Sequence, residues 1–189
     1  MTPGQWWRIC MEWLLVGIGV GCLGTYAYET VEARRFQAKR AAEFAQAAQA
    51  YAPVTVRTGS LLGMLDVPRL RLTAAVIEGD DEKTLSRAAG HLPDTPLPWE
   101  RGNSAIAAHR DGLFRPLKDI GAGDEIVFRS SRDVLHYRVT NTAVVEPDDL
   151  SVLKPKSKDA LTLITCYPFH YIGNAPQRFV VHAERADPR

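Results

Sequence analysis

Two hydropathy regimes divide this chain. Across residues 6–28 apolar side chains run together, and only Arg8 and Glu12 carry charge. As an α-helix that stretch spans roughly 34 Å, enough for a hydrocarbon core of roughly 30 Å. Trp6, Trp7 and Trp13 lie toward one end and Tyr26 and Tyr28 at the other, as aromatic residues do at membrane interfaces. Residues 29–50 are rich in Ala, Glu, Gln, Arg and Lys, with no Pro or Gly, and predict a continuing helix. The pattern therefore predicts an anchor over residues 1–28, a helical stalk or linker over 29–58, and a globular domain over 59–189. A cleaved signal peptide competes with the anchor, since Gly19, Gly21 and Gly24 are small. The stalk-like helix that follows favours the anchor.

After Pro53 the period changes. Residues 61–67, 69–77, 104–109, 125–129, 134–145, 160–166 and 178–183 are rich in Val, Ile, Leu, Thr and Tyr, and predict strands. Gly, Pro, Asp and Asn punctuate them. One short helix is expected from an N-cap at Asp80 or Asp81 to Ala89, ending at Gly90. Residues 113–120 and 147–153 predict single turns. Many short strands with little helix favour an all-β fold, a closed barrel or a sandwich.

Composition narrows the function. The 189 residues carry a formal net charge of +1, without the clustered basic surface that nucleic acid requires. There is no phosphate-binding glycine loop and no internal repeat. Around the apolar segment, Arg34, Arg35, Lys39 and Arg40 follow it and only Arg8 precedes it. By the positive-inside rule that bias favours a cytoplasmic C-terminal side.

Of three cysteines, Cys10 and Cys22 lie in the apolar segment and Cys166 stands alone in the rest. The globular part thus has no internal disulfide, and its single thiol is either buried or reactive. Cys166 ends one predicted strand and Arg178 opens the next. Antiparallel pairing of those strands makes the two neighbours at one sheet edge. The intervening residues 167–177 exceed an ordinary hairpin loop, and long loops often frame binding sites. A thiol becomes a nucleophile near neutral pH when a base or cation assists it. A guanidinium can donate to the oxyanion of an acyl-transfer intermediate. Cys, His and Arg are therefore a chemically sufficient set.

The pattern leaves the histidine open. His136 and His182 fall on polar faces of alternating strands, His91 follows Gly90, and His170 sits in the loop beside Cys166. His109 ends an apolar run and precedes the turn-like Arg110-Asp111-Gly112. Each residue also has an ordinary structural role. A lone strand-end Cys usually behaves as a small hydrophobe, and a strand-start Arg usually pairs on the surface.

Several segments in chain order resemble the sortase family. They are Gly63-Met-Leu-Asp-Val-Pro-Arg-Leu, Gly90-His-Leu-Pro-Asp-Thr-Pro, Gly102-Asn-Ser-Ala-Ile-Ala-Ala-His-Arg-Asp, Phe114-Arg-Pro-Leu and Gly123-Asp-Glu-Ile. The most specific are Thr162-Leu-Ile-Thr-Cys-Tyr-Pro-Phe and Ala175-Pro-Gln-Arg-Phe-Val-Val. The compact, N-terminally anchored form is most similar to class D and Gram-negative-type sortases. The resemblance implies an eight-stranded β-barrel and a cysteine transpeptidase. It assigns catalysis to Cys166, His109 and Arg178, and substrate contacts to Thr165 and Asp111. It implies a secreted protein with an LPxTG-like C-terminal signal as substrate and an envelope amine as acceptor. It also implies a single-pass membrane protein with an extracytoplasmic catalytic domain, opposite to the flanking charges. Ala108 stands where many members have Gly. The acidic cluster of a calcium site is not evident, so no metal or other cofactor is expected. Hydrolysis by the same site and a catalytically inactive envelope-binding barrel are the alternative functions.

Overall fold

Strands form where β-branched and apolar residues cluster, and they stop where Gly, Pro or Asp breaks the ladder. The structure, a computed structural model, describes residues 3–47, 56–156, 158–171 and 173–186. In chain order its elements are α1 (Pro3–Ala47), β1 (Leu61–Val67), β2 (Leu72–Glu78), α2 (Glu82–Leu85), β3 (Ala89–His91), β4 (Asn103–Ala107), β5 (Glu125–Arg129), β6 (Val134–Val145), β7 (Ala160–Tyr167) and β8 (Gln177–Arg185). Short 3-10 turns lie at Pro68–Leu70, Arg115–Asp119 and Leu150–Leu153.

The eight strands close into one barrel in the order β1-β2-β3-β4-β7-β8-β6-β5. The β2/β3 and β4/β7 pairs are parallel and the others antiparallel. Closure selects the barrel over the sandwich and pairs strand edges that would otherwise invite aggregation. The predicted bounds of β1, β5 and β6 hold. β2 starts later than expected because Pro68 opens a 3-10 turn that ends at Arg71, whose φ is 52°.

One predicted element is corrected. The helix expected to reach Ala89 stops at Leu85, and Ala89–His91 is a strand. Asp81 is the N-cap, accepting from the Thr84 amide at 3.2 Å and the Thr84 hydroxyl at 2.7 Å. Gly90 is not a helix terminator. A Cβ there would lie 2.2 Å from the Gly79 carbonyl oxygen and 2.9 Å from Leu85 Cδ2. Only glycine lets β3 run this close to the turn after β2.

The barrel interior is filled by Leu65, Val67, Ile106, Phe128, Leu161 and Leu163, all at 0% exposure. Burying each such side chain contributes about 1.5–3 kcal/mol. Phe114 and Leu117, from the β4–β5 connection, join the same core. Tyr137 is buried too, and its hydroxyl donates to the Pro98 carbonyl at 2.8 Å.

The chain forms two compact units, Met1–Arg35 and Phe36–Arg189. In the first, α1 exposes Trp7, Trp13, Leu14, Leu15, Ile18 and Leu23, and an apolar helical span sufficient to cross a membrane begins at Met11. In the second, Gln37 of α1 is bound to the barrel. Its side-chain oxygen accepts from the Ala75 amide at 2.9 Å, and its amide nitrogen donates to the Arg87 carbonyl. Residues 48–55 of the predicted linker lie outside the described residues.

Candidate active site

The β7/β8 ladder pairs Cys166 directly with Arg178. Directly opposed residues of an antiparallel pair share a face, with Cβ atoms about 4.5–5.5 Å apart. The expected juxtaposition therefore holds. Cys166 is a free thiol and half-buried. Arg178 is half-buried, and its Nη1 donates to the Gln177 carbonyl at 3.1 Å and the Ala175 carbonyl at 3.4 Å. A guanidinium has five N–H donors, so these two bonds leave donors for a ligand.

On the other side of β7 lies β4, in parallel register, with Ala107 opposite Ile164. The ladder continues one bond further, from the Ala108 amide to the Ile164 carbonyl at 3.2 Å. His109 and Cys166 each stand two residues beyond the Ala107/Ile164 pair, so the two strand ends bring them to the same mouth of the barrel. β4 itself ends at Ala107, earlier than expected, and His109 starts the turn. Its carbonyl accepts from Gly112 N at 3.3 Å and Phe114 N at 3.2 Å, and Phe114 is a core residue. The His109 backbone is thereby fixed from below. Its imidazole is 37% exposed, with Nε2 3.7 Å from Glu82 Oε1.

Thr165 is buried, and its hydroxyl donates to the Ala108 carbonyl at 2.7 Å. One residue before the thiol thus holds one residue before the imidazole. Asp111 is exposed on the turn and makes no side-chain hydrogen bond or ion pair among the described residues. Ala108 is 5% exposed in the core cluster, so its methyl is accommodated where the resemblance expected Gly.

The other histidines are held elsewhere. His91 is buried, with Nδ1 2.8 Å from Glu78 Oε2 and Nε2 3.0 Å from the Pro96 carbonyl. His136 pairs with Glu125 at 2.8 Å. His182 lies on the strand face opposite the core residues Val181 and Ala183, as the alternation predicted, and is half-buried there with Nδ1 3.3 Å from Thr162 Oγ1. Burial, and secondarily the positive charge of Lys156, holds the His182 pKa below the ordinary imidazole value. His170 is exposed in the loop, where it lines an open hollow of about 260 Å³ with Lys118, Asp119, Tyr167, Pro168 and Phe169.

Arg110 is a residue the sequence reading passed over. Its Nη2 donates to the Tyr171 carbonyl at 2.8 Å and the Gly173 carbonyl at 3.0 Å, and its guanidinium sits 5.8 Å from the Tyr171 ring centroid. The only signal for it was its place between His109 and Asp111.

A thiol, an imidazole and a guanidinium at one barrel mouth, on three adjacent strand ends, suit acyl transfer. Residues 65–186 match the sortase domain. The chain belongs to the sortase family. It is 34% identical over 129 residues to Sortase D of Bacillus subtilis (strain 168), covering 68% of this chain and 65% of that relative. It is 28% identical over 125 residues to Sortase A of Bacillus anthracis, covering 64% of this chain and 58% of that one. The match thus spans just under two thirds of these curated sortases. Among solved structures, it is similar to a Clostridium perfringens Sortase D5 transpeptidase, with a TM-score of 0.68 and 23% identity, over 84% of this chain and 99% of that one. Sortase C from Clostridium perfringens SM101 gives a TM-score of 0.64 and 26% identity, over 83% of this chain and 90% of that one. The barrel fold is thus shared with both of these solved sortases.

Proposed function

We propose that this sortase is a cysteine transpeptidase, and that the direct Cys166–Arg178 pair beside His109 is its catalytic centre. The pairing register is the observation that carries the reading. Cys166, as thiolate, attacks the carbonyl of the scissile peptide bond. Arg178 donates to the oxyanion that develops there, from donors not used by Gln177 and Ala175. His109 gives a proton to the departing amine, and the acyl group stays on Cys166 as a thioester. An amine then attacks the thioester, His109 takes its proton, and the C–S bond breaks to release Cys166 as the thiolate.

The substrate is a secreted protein with an LPxTG-like C-terminal sorting signal, and the acceptor is an amine of the cell envelope. Thr165 serves the substrate from beneath, by fixing the Ala108 carbonyl next to His109. Asp111 serves it from the exposed turn. Residues 1–28 are a single-pass membrane anchor, residues 29–58 a stalk and linker, and residues 59–189 an extracytoplasmic catalytic domain. The apolar exposed face of α1 supports the anchor.

The test is mass analysis of the full chain in detergent with a synthetic LPATG peptide, with and without excess triglycine. The expected results are an acyl adduct on Cys166 and an amide product. Free acid alone in excess amine would make the protein a peptidase instead.

A further inference from the structure

Asn103 opens β4 and is 1% exposed, and its carboxamide is fully employed. Its Nδ2 donates to the Val152 carbonyl at 2.9 Å and the Lys154 carbonyl at 3.2 Å, and its Oδ1 accepts from the Thr162 hydroxyl at 2.7 Å. Both Nδ2 partners are carbonyls, so the amide has one orientation; turned over, its oxygen would face two acceptors. Thr162 is 0% exposed and has used its only proton on Asn103, so its oxygen accepts from His182 Nδ1 at 3.3 Å. A buried polar network whose members are all satisfied specifies one geometry. This one ties the β6–β7 connection, at Val152 and Lys154, to the first residue of β4.

Strand alternation puts this tie on the face that carries the thiol. Leu161 and Leu163 of β7 and Ile106 of β4 fill the core, so Thr162, Ile164 and Cys166 lie on the outer face, as does Asn103. On that face Thr162 is fully covered, whereas Ile164 and Cys166 are half-buried. The other end of the connection is fixed beside the proposed catalytic pair. β6 ends at Val145, the cross-strand partner of Arg178, and Glu146 accepts from Gln177 Nε2 at 3.2 Å. Residues 146–154 therefore run from beside Arg178 to the level of Thr162, four residues before Cys166. Four extended residues cover roughly 13 Å. That is the length of β7 from Cys166 to Thr162, and also of the four residues on the acyl side of an LPxTG-like scissile bond.

We propose that Asn103 is a positioning residue: by holding Val152 and Lys154 at the level of Thr162, it fixes the far end of the surface on which the acyl half of the substrate lies. It thereby sets substrate affinity and not the chemistry at Cys166. The proposal rests on the reading of Cys166 as nucleophile and of an LPxTG-like signal as its substrate. Asn103 pairs in register with Ala160, six residues before Cys166, and so lies beyond reach of the reacting atoms. Without its two donors, the Val152 and Lys154 carbonyls lose their buried partner and turn to water, and the segment comes away from β4. A substrate must then order that segment as it binds. This weakens binding and leaves the steps of the bound complex unchanged.

The experiment measures steady-state kinetics of the full chain in detergent, varying an LPATG peptide at saturating triglycine. The rate at which iodoacetamide alkylates Cys166, read by peptide mass, reports the thiol without the peptide. Wild type is compared with Asn103→Ala and with Asn103→Asp, which keeps the size and the acceptor for Thr162 but removes both donors. Each variant is expected to raise KM about tenfold, the size of one lost hydrogen bond, with kcat and the alkylation rate within about twofold of wild type. An unchanged KM in both variants overturns the proposal. A parallel fall in kcat and alkylation overturns it too, since Asn103 would then be a general support of the barrel. If neither variant folds, Thr162→Val decides: it keeps the volume, removes the hydroxyl that orients the amide, and should raise KM at retained kcat, whereas an unchanged KM overturns the proposal. Intact mass separates the underlying reading. A missing Cys166 adduct in wild type refutes the nucleophile, whereas an adduct with an unchanged KM refutes only the role of Asn103.

Discussion

Cys166 and Arg178 are direct cross-strand partners, although a nine-residue loop, 168–176, separates their strands. The sheet register itself sets the proximity of the two residues, so the roots of both side chains stay side by side whatever the loop does. What varies with side-chain identity is the geometry of donation. Arg178 already uses Nη1 on two carbonyls, and a planar fork can do that while presenting further donors.

Arg178→Lys is therefore expected to fold normally and to lose activity. An ammonium is a point charge and cannot serve the Gln177 and Ala175 carbonyls and an oxyanion together. The drop in kcat/KM should be about a hundredfold, as for loss of one oxyanion donor. The thermal midpoint should hardly move, since the site is half-exposed. Steady-state kinetics with near-wild-type turnover would remove Arg178 from the oxyanion role.

Thr165→Val tests how the thiol strand holds the histidine turn. Valine keeps the volume but removes the donor to the buried Ala108 carbonyl. An unsatisfied buried carbonyl costs about 1–3 kcal/mol, which chemical denaturation can read. Activity should fall further than the surviving folded fraction explains, because His109 directly follows the loosened residue. Thr165→Ser, which restores the hydroxyl, should recover most of both. If Thr165→Val were as stable as wild type, the bond would carry no weight.

Much of this site was legible because it lies on strands. The run that ends at Cys166 and the run that starts at Arg178 read as strands from composition, and their pairing followed. The parallel β4/β7 neighbourhood was not legible, since a crossover pairing leaves no local signal, and periodicity alone left five histidines in contention. The register past Ala107/Ile164 brings His109 to the strand end beside that of Cys166. β3 was missed because three residues are too few for a pattern and because Gly90 mimics a helix C-terminus. The alternation around His182 was legible, since Val181 and Ala183 do face the core, but its partial cover on the outer face was not.

His182 also carries a pH dependence. Its folded pKa lies below the ordinary imidazole value, first through burial and then through Lys156. The unfolded chain therefore binds the proton more readily than the folded one. Stability is fully present above the unfolded pKa of about 6.5, and declines as pH falls from there toward the depressed folded value. Denaturant midpoints measured from pH 8 to pH 5 should fall more steeply for wild type than for His182→Gln. Parallel curves for the two proteins would show that His182 does not couple to folding.

The membrane side of Cys166 is the remaining test. Arg34, Arg35, Lys39 and Arg40 follow the apolar segment, which argues for a cytoplasmic barrel. Lys39 and Arg40 both lie against Glu43 on α1, at 4.0 and 2.8 Å, so part of that charge is locally paired. A sorting-signal substrate and an envelope amine are both external, and the proposed chemistry requires Cys166 beside them. Intact cells treated with a membrane-impermeant maleimide should therefore label the protein, and Cys166→Ala should abolish the label. Cys22, within the apolar stretch, should stay unlabelled in either protein. Labelling of Cys166 only after lysis would place the barrel inside and break the link between this chain and sorting at the envelope.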